Sequence, residues 1–400
     1  MITLLIFLAI LAVLVLSHEF GHFIVARKSG MKVYEFGFGF PPRLFGIQLL
    51  KSRKPEKTDE KEIKKWRFIW GGKEPVAQEG DSALEHGTLY SFNLIPLGGF
   101  VKIKGEDGEE PGPDSFGERP AWQRALTLVA GVAMNIVLAA VLLSIGFAVG
   151  MPQAVDENSS NIKDRHVAIV QVISGKPADL AGLKAGDFII KVDSIDSPSM
   201  KQLQDYTNAN KDKNIHLTIN RNGEILSKDV HPFIYPDTGK AGFGIAIEDV
   251  GFVKYPWYQA IYYGIITTGL YIKEIILAFY TLIKGLFAGA HVGEALSGPV
   301  GIAVMTGQVA KLGFAYVLNF TALLSINLAI LNILPIPALD GGRLLFLGLS
   351  KIMRRPITAK HEQVAHTIGF MLLMLLVVVI TVKDIGTFSG AILNFFKHIF

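Results

Sequence analysis

The 400-residue sequence contains no cysteine. Disulfide frameworks, thiolate metal sites and cysteine nucleophiles are therefore excluded, and any metal must be held by His, Asp or Glu. Charge is scarce too: 18% of residues are ionisable Asp, Glu, Lys or Arg, and 39 basic against 35 acidic side chains leave a formal +4. So small and scattered an excess argues against nucleic acid as a partner. No basic segment precedes the first apolar run and no small-residue cleavage site follows it, so that run does not read as a cleaved signal peptide. Internal repeats and low-complexity tracts are also missing. Apolar residues are what the chain has in plenty. Half of it is hydrophobic and its mean hydropathy is +0.38, above what a soluble protein of this length carries. The expected fold class is a multi-pass α-helical membrane protein.

A span needs about 20 mostly apolar residues, because the hydrocarbon core is roughly 30 Å thick and a helix rises about 1.5 Å per residue. Four stretches qualify, residues 2–26, 126–151, 314–335 and 364–382. The first exits into Arg27, Lys28 and Lys32, and a basic run from Lys51 to Arg67 follows. The third is followed by Arg343, Lys351, Arg354, Arg355 and Lys360. By the positive-inside rule both of these C-terminal ends are cytoplasmic. A fifth apolar region, residues 258–287, is long enough to cross. Parity argues against it, Lys273, Glu274 and Lys284 interrupt it, and Tyr255, Trp257, Tyr258, Tyr262 and Tyr263 suit an interface. It is expected to lie at the membrane surface or to insert only partly, leaving four transmembrane helices.

Residues 156–236 are polar and turn-rich. Strands are expected at 166–173 and 188–192, helices at 177–183 and 200–209, and a hairpin joins 215–220 to 225–230 through Asn222-Gly223. On the other side of the membrane, residues 92–103 (FNLIPLGGFVKI) read as a hairpin near the bilayer, and 105–119 as irregular. The expected division is 1–27 (helix 1), 28–120 (membrane-associated loop), 124–151 (helix 2), 156–236 (extracytoplasmic α/β domain), 250–313 (interfacial helix and connector), 314–341 (helix 3) and 362–384 (helix 4).

Within the first span stands His18-Glu19-Phe20-Gly21-His22. Residues four apart share a helix face, so both imidazoles can reach one ion while Glu19 sits beside its water. The alternative is that these side chains satisfy one another across a helix bundle, yet ionisable residues inside a span are functional by default. Two histidines leave a catalytic zinc one protein ligand short. No H-x-x-G-x-x-H continues the motif. Asp340 ends the third span on the same membrane side as His18 and His22, although an Asp before Gly is also a common turn residue. Asn135 in the second span is a further polar residue whose plain reading is a contact between helices. His291, His361 and His366 have no spaced partner and read as non-ligands.

The run from Lys176 to Ile189 (KPADLAGLKAGDFI) resembles the signature of a bacterial PDZ domain. The joint order of His18 to His22, Gly131-x-x-x-Asn135, that PDZ-like unit and Leu339-Asp340-Gly341 resembles the site-2 protease family of intramembrane zinc metalloproteases, in its bacterial RseP-like branch. The resemblance covers nearly the whole chain. It implies that His18, His22 and Asp340 bind Zn2+, that Glu19 is the general acid/base, and that Asn135 assists the catalytic centre. It also implies that Asn332, Pro335 and Pro337 handle substrate. Val132 departs from the Pro common in that branch, and one PDZ-like unit stands where several relatives carry two.

The implied function is regulated intramembrane proteolysis of single-span proteins, such as anti-sigma factors or signal-peptide remnants, in the bacterial cytoplasmic membrane. The active site would lie near the cytoplasmic side and the PDZ-like domain outside. The lipid bilayer is itself a partner, and nucleic acid is not. A membrane PDZ scaffold with a vestigial metal site is the alternative, against which the intact Glu19 speaks. A metal transporter would show repeated helices and more mid-membrane acids.

Overall fold

The computed structural model describes residues 2–52, 64–71, 84–106, 108, 110–154, 163–173, 175–221, 223–235, 239–289, 297–354 and 359–387. In chain order the elements are α1 (Ile2–Lys28), β1 (Val33–Ser52), β2 (Lys64–Trp70), β3 (Leu84–Ile103), α2 (Ala121–Val149), β4 (Met151–Ala154), β5 (Lys163–Val172), α3 (Pro177–Leu180), β6 (Phe188–Val192), β7 (Ile195–Asp196), α4 (Met200–Ala209), β8 (Ile215–Arg221) and β9 (Glu224–Val230). They continue with β10 (Phe233–Ile234), β11 (Ala241–Gly242), β12 (Ile245–Val253), α5 (Trp257–Phe287), α6 (Pro299–Leu312), α7 (Phe314–Ile333), α8 (Asp340–Met353) and α9 (Ala359–Thr387). Contacts divide the chain into one unit of residues 1–142, 265–307 and 320–400 and a second of 143–264 and 308–319.

In the first unit the helices are apolar enough that lipid, not a water-excluding core, is their natural surrounding. Five helices, α1, α2, α5, α7 and α9, are long and apolar enough to cross a membrane among the described residues. The expected four are among them. The fifth, α5, is one continuous helix of 31 residues. The connector expected after it contains a further helix, α6, whose first N–H groups need partners because no preceding turn supplies them. Asp384 of α9 provides one, accepting from Gly298 N–H at 2.9 Å and Gly301 N–H at 2.7 Å. The described residues among 105–119 are irregular, as composition predicts.

The hairpin expected at 92–103 is a misreading. Residues 89–92 and 99–103 of β3 do not pair with each other; both flank the first limb of β1, with Phe38 opposite Gly99 on one edge and opposite Phe92 on the other. Pro96 and Gly98, the latter at φ +115°, supply the turn chemistry of a hairpin, but a third segment enters between the limbs. Such an insertion has no local signature. The second limb of β1 continues the sheet to β2, where Trp66, Phe68 and Trp70 stand exposed on one face. Phe68 and Trp70 stack on Phe45.

The second unit is built around an antiparallel sheet in the order β4-β12-β5-β6-β8-β9, with β7 beside β6. β6, α4 and the β8–β9 pair match the expected strand, helix and hairpin, and α4 opens with a capping box at Ser199 and Gln202. The sheet also takes in β4 and β12, which lie outside residues 156–236. β12 bridges β5 and β4, so a segment far along the chain completes the sheet. The core is Val167, Ile169, Ile189, Val192, Leu203, Ile215, Leu217, Ile219 and their neighbours.

Candidate metal centre

α1 is helical through residue 28 because nothing in its run of Ile, Leu, Val and Ala breaks it. Its single interior glycine, Gly21, stands where a Cβ would overlap the carbonyl oxygen of Ala130 on α2. α1 and α2 therefore approach backbone to backbone. Gly131 answers from the other helix, since a Cβ there would run into the rings of His22 and His18. Two glycines thus make room for two imidazoles between closely packed helices.

His18 and His22 are both buried. His22 Nδ1 lies 2.8 Å from the carbonyl of Thr127, which can only accept, so Nδ1 carries the proton and Nε2 presents its lone pair inward. His18 Nε2 lies 3.1 Å from His22 Nε2. Asp340 Oδ2 lies 3.0 Å from the first and 3.4 Å from the second. Asp340 opens α8, and the turn delivering it is tight: a Cβ on Gly341 would overlap the carbonyls of Ile333 and Leu334, and one on Gly342 that of Ile336.

Asn332 Nδ2 stands 3.3 Å from His18 Nε2. Glu19 faces the backbone N–H of Val101 on β3 and lies within the charge field of His18, His22 and Asp340. Asn135 is fully buried one turn beyond Gly131, and both polar atoms of its amide lack a partner among the described residues. Its backbone carbonyl accepts from Ser325 Oγ of α7 at 2.8 Å, while Ser17 Oγ of α1 donates to Met134 O at 3.3 Å. Asn135 therefore sits where α1, α2 and α7 meet.

These residues suit zinc. Bonds of about 2.0 to 2.1 Å in a tetrahedron place ligand atoms roughly 3.3 Å apart, and the three donor atoms are spaced accordingly. Two imidazole nitrogens and a carboxylate, facing one another with at most one proton between each pair, form a neutral-plus-anionic donor set that a divalent cation satisfies. Of the residues expected at the site, His18, His22, Asp340, Glu19 and Asn332 come together. Asn135 lies on the α2 face that carries Gly131, and Pro335 and Pro337 lie in the bend before Asp340. His361 is exposed and His291 falls outside the described residues. Thr127 and the steric role of Gly21 leave no signal in the sequence, for one acts through its backbone and the other through what it lacks.

A hydrolytic donor set carried on apolar helices defines the class of membrane-embedded metalloproteases. The chain belongs to peptidase family M50, whose pattern matches residues 6–54 and 81–376. It is 32% identical over 439 residues to the regulator of sigma-W protease RasP of Bacillus subtilis, covering 96% of this chain and 98% of that one. It is 31% identical over 435 residues to the zinc metalloprotease RasP of Oceanobacillus iheyensis, covering 96% and 99%. The PDZ domain of an SdrC-like protein from Listeria innocua aligns over 20% of this chain and 92% of that one, at 22% identity and a TM-score of 0.19. The chain is thus a zinc metalloprotease of the site-2 type and an integral membrane protein, with zinc as its cofactor.

Proposed function

We propose that the enzyme hydrolyses peptide bonds in or near the transmembrane segment of single-span membrane proteins, with His18, His22 and Asp340 as its zinc ligands. The observation carrying this is the convergence of three donor atoms beside Glu19 on an apolar helix. Zinc, when bound, supplies Lewis acidity, lowering the pKa of water toward about 7 and polarising the scissile carbonyl. Glu19, steadied by the N–H of Val101, takes the proton of the attacking water and hands it to the leaving amine. Asn135 offers an amide N–H to the developing oxyanion; its burial without a side-chain partner among the described residues supports that role.

A transmembrane substrate hides its carbonyls in its own helix and must be unwound first, with replacement partners for its backbone. Residues 99–103 of β3 pair with β1 along one edge among the described residues and pass close to Glu19. An unwound substrate adding as a further strand would meet the base there. Asn332 and the acceptors exposed by Pro335 and Pro337, which cannot donate, hold it from the other side. Replacing Asn332 and Pro335 together is expected to impair cleavage with zinc retained, and full activity would refute this part.

The basic flanks of α1 and α7 favour a centre near the cytoplasmic face, and with it an extracytoplasmic PDZ-like domain. α2 then ends outside, and so does α9, whose Asp384 caps the start of α6. α5 follows the first of these outer points and α6 begins at the second, which favours the interfacial reading and four crossings. The exposed Trp66, Phe68 and Trp70 favour a β2 face resting against lipid. Substrates are anti-sigma factors or signal-peptide remnants, the first in keeping with the name of the Bacillus relative. The PDZ-like unit acts before the membrane step, by binding chain ends or by excluding untrimmed ectodomains. Deleting residues 160–232 and comparing trimmed with untrimmed reporters separates these two modes.

The test of the whole is purified full-length protein in lipid with a single-span reporter. Cleavage is expected to stop on chelation, return with zinc and be absent in Glu19→Gln. Cleavage surviving Glu19→Gln rejects the assignment.

A further inference from the structure

The bend that presents Asp340 is held from outside its own pair of helices. Between α7 and α8, Ala338 adopts φ +81°, a left-handed conformation that a residue with a Cβ keeps only where its surroundings hold it. Two residues of α9 do this. His366 Nδ1 accepts the N–H of Ala338 at 2.8 Å. Gly369, about one turn further on, stands where a Cβ would strike the carbonyl of Pro337.

The partner of Nδ1 is a backbone donor, so the neutral ring carries its proton on Nε2, toward Glu362 at 3.8 Å. Phe346 of α8 packs against the same ring, with centroids 5.7 Å apart. The imidazole is thereby fixed between the helix that begins with Asp340 and the helix that follows it. With Nδ1 occupied by an N–H, His366 is no metal ligand.

We infer that His366 is a positioning residue for the metal centre: by accepting the Ala338 N–H it fixes the bend and so sets where the Asp340 carboxylate stands relative to His18 and His22. Without that acceptor the partly buried N–H loses its protein partner, and the bend relaxes to satisfy it. Ala338 is two residues from Asp340, so the relaxation moves the carboxylate. The inference rests on Asp340 being a zinc ligand.

The test is the zinc affinity of the detergent-purified full-length protein, measured by competition with a chromogenic chelator, with the melting temperature of the zinc-free protein as second readout. His366→Leu is expected to weaken zinc binding roughly 10- to 100-fold. His366→Asn, whose Oδ1 can accept the same N–H, restores most of it. Gly369→Ala, which leaves His366 in place but displaces Pro337, weakens binding as well.

A folded His366→Leu protein with parental affinity overturns the inference. So does equal loss in His366→Leu and His366→Asn, which marks a merely structural ring. If His366→Leu does not fold, parental affinity in Gly369→Ala overturns it instead. Asp340→Asn keeps the two readings apart: parental affinity there refutes the ligand assignment, whereas zinc loss there with none in His366→Leu refutes only the positioning role.

Discussion

Along the strands of the sheet unit, Val167, Ile169, Ile189, Leu217 and Ile219 are at most 1% exposed, and each alternates with more open neighbours. Along α1 the pattern inverts: Leu4, Leu5 and Val13 are 49%, 63% and 44% exposed, while His18 and His22 are only 7% exposed. In water, hydrophobicity chooses the inside. In lipid it does not, because the surroundings are as apolar as leucine. There, small residues that permit close approach and polar groups that need partners do the choosing, as Gly21, Gly131 and the His–Asp cluster do.

The contrast breaks if the two regions respond alike to substitution. Among the largest effects, Glu19→Gln should abolish reporter cleavage with zinc still bound by elemental analysis. Zinc loss in that variant would make Glu19 a ligand instead of a base. Asp340→Asn should release zinc and abolish cleavage together, and excess zinc should recover part of the activity. Gly131→Ala adds one methyl group facing both imidazoles, and a displacement of order 1 Å is expected to lower kcat about 100-fold. Its melting temperature should change little beside that loss.

In the sheet unit the same kind of edit should act on stability. Leu217→Ala leaves a cavity in a packed core, and about 2 to 5 kcal/mol of unfolding free energy should be lost. Hydrogen exchange at β6 and β8 would read this. Ser199→Ala removes one half of the capping box of α4 and is expected to cost about 1 kcal/mol, visible as faster exchange in its first turn. A large loss of zinc affinity from either of these would erase the distinction between the regions.

The same difference explains what was legible in the sequence. Placements that depend on local order could be read: His18 and His22 on one helix face from a spacing of four, the β8–β9 hairpin from its turn, and α4 from residues 200–209. Asp340 became readable only through topology, because basic flanks put two distant span ends on one side. What escaped depends on which non-sequential segments touch. The first limb of β1 entering between two limbs of β3, β12 completing the sheet, and the helix α6 inside a Gly-rich connector all belong here. His366 has no spaced partner in the sequence. Its partner is a backbone N–H in a bend 28 residues away, for which no side-chain spacing exists.

The separation of His18 from Asp340 bears on how such an enzyme comes into being. If Asp340 is the third ligand, a growing chain delivers its base and both imidazoles into the bilayer more than three hundred residues before the carboxylate is made, and the brace on α9 arrives later still. On that reading a nascent or stalled molecule lacks a ligand and is inert toward its neighbours. Biogenesis would then itself serve as the zymogen stage.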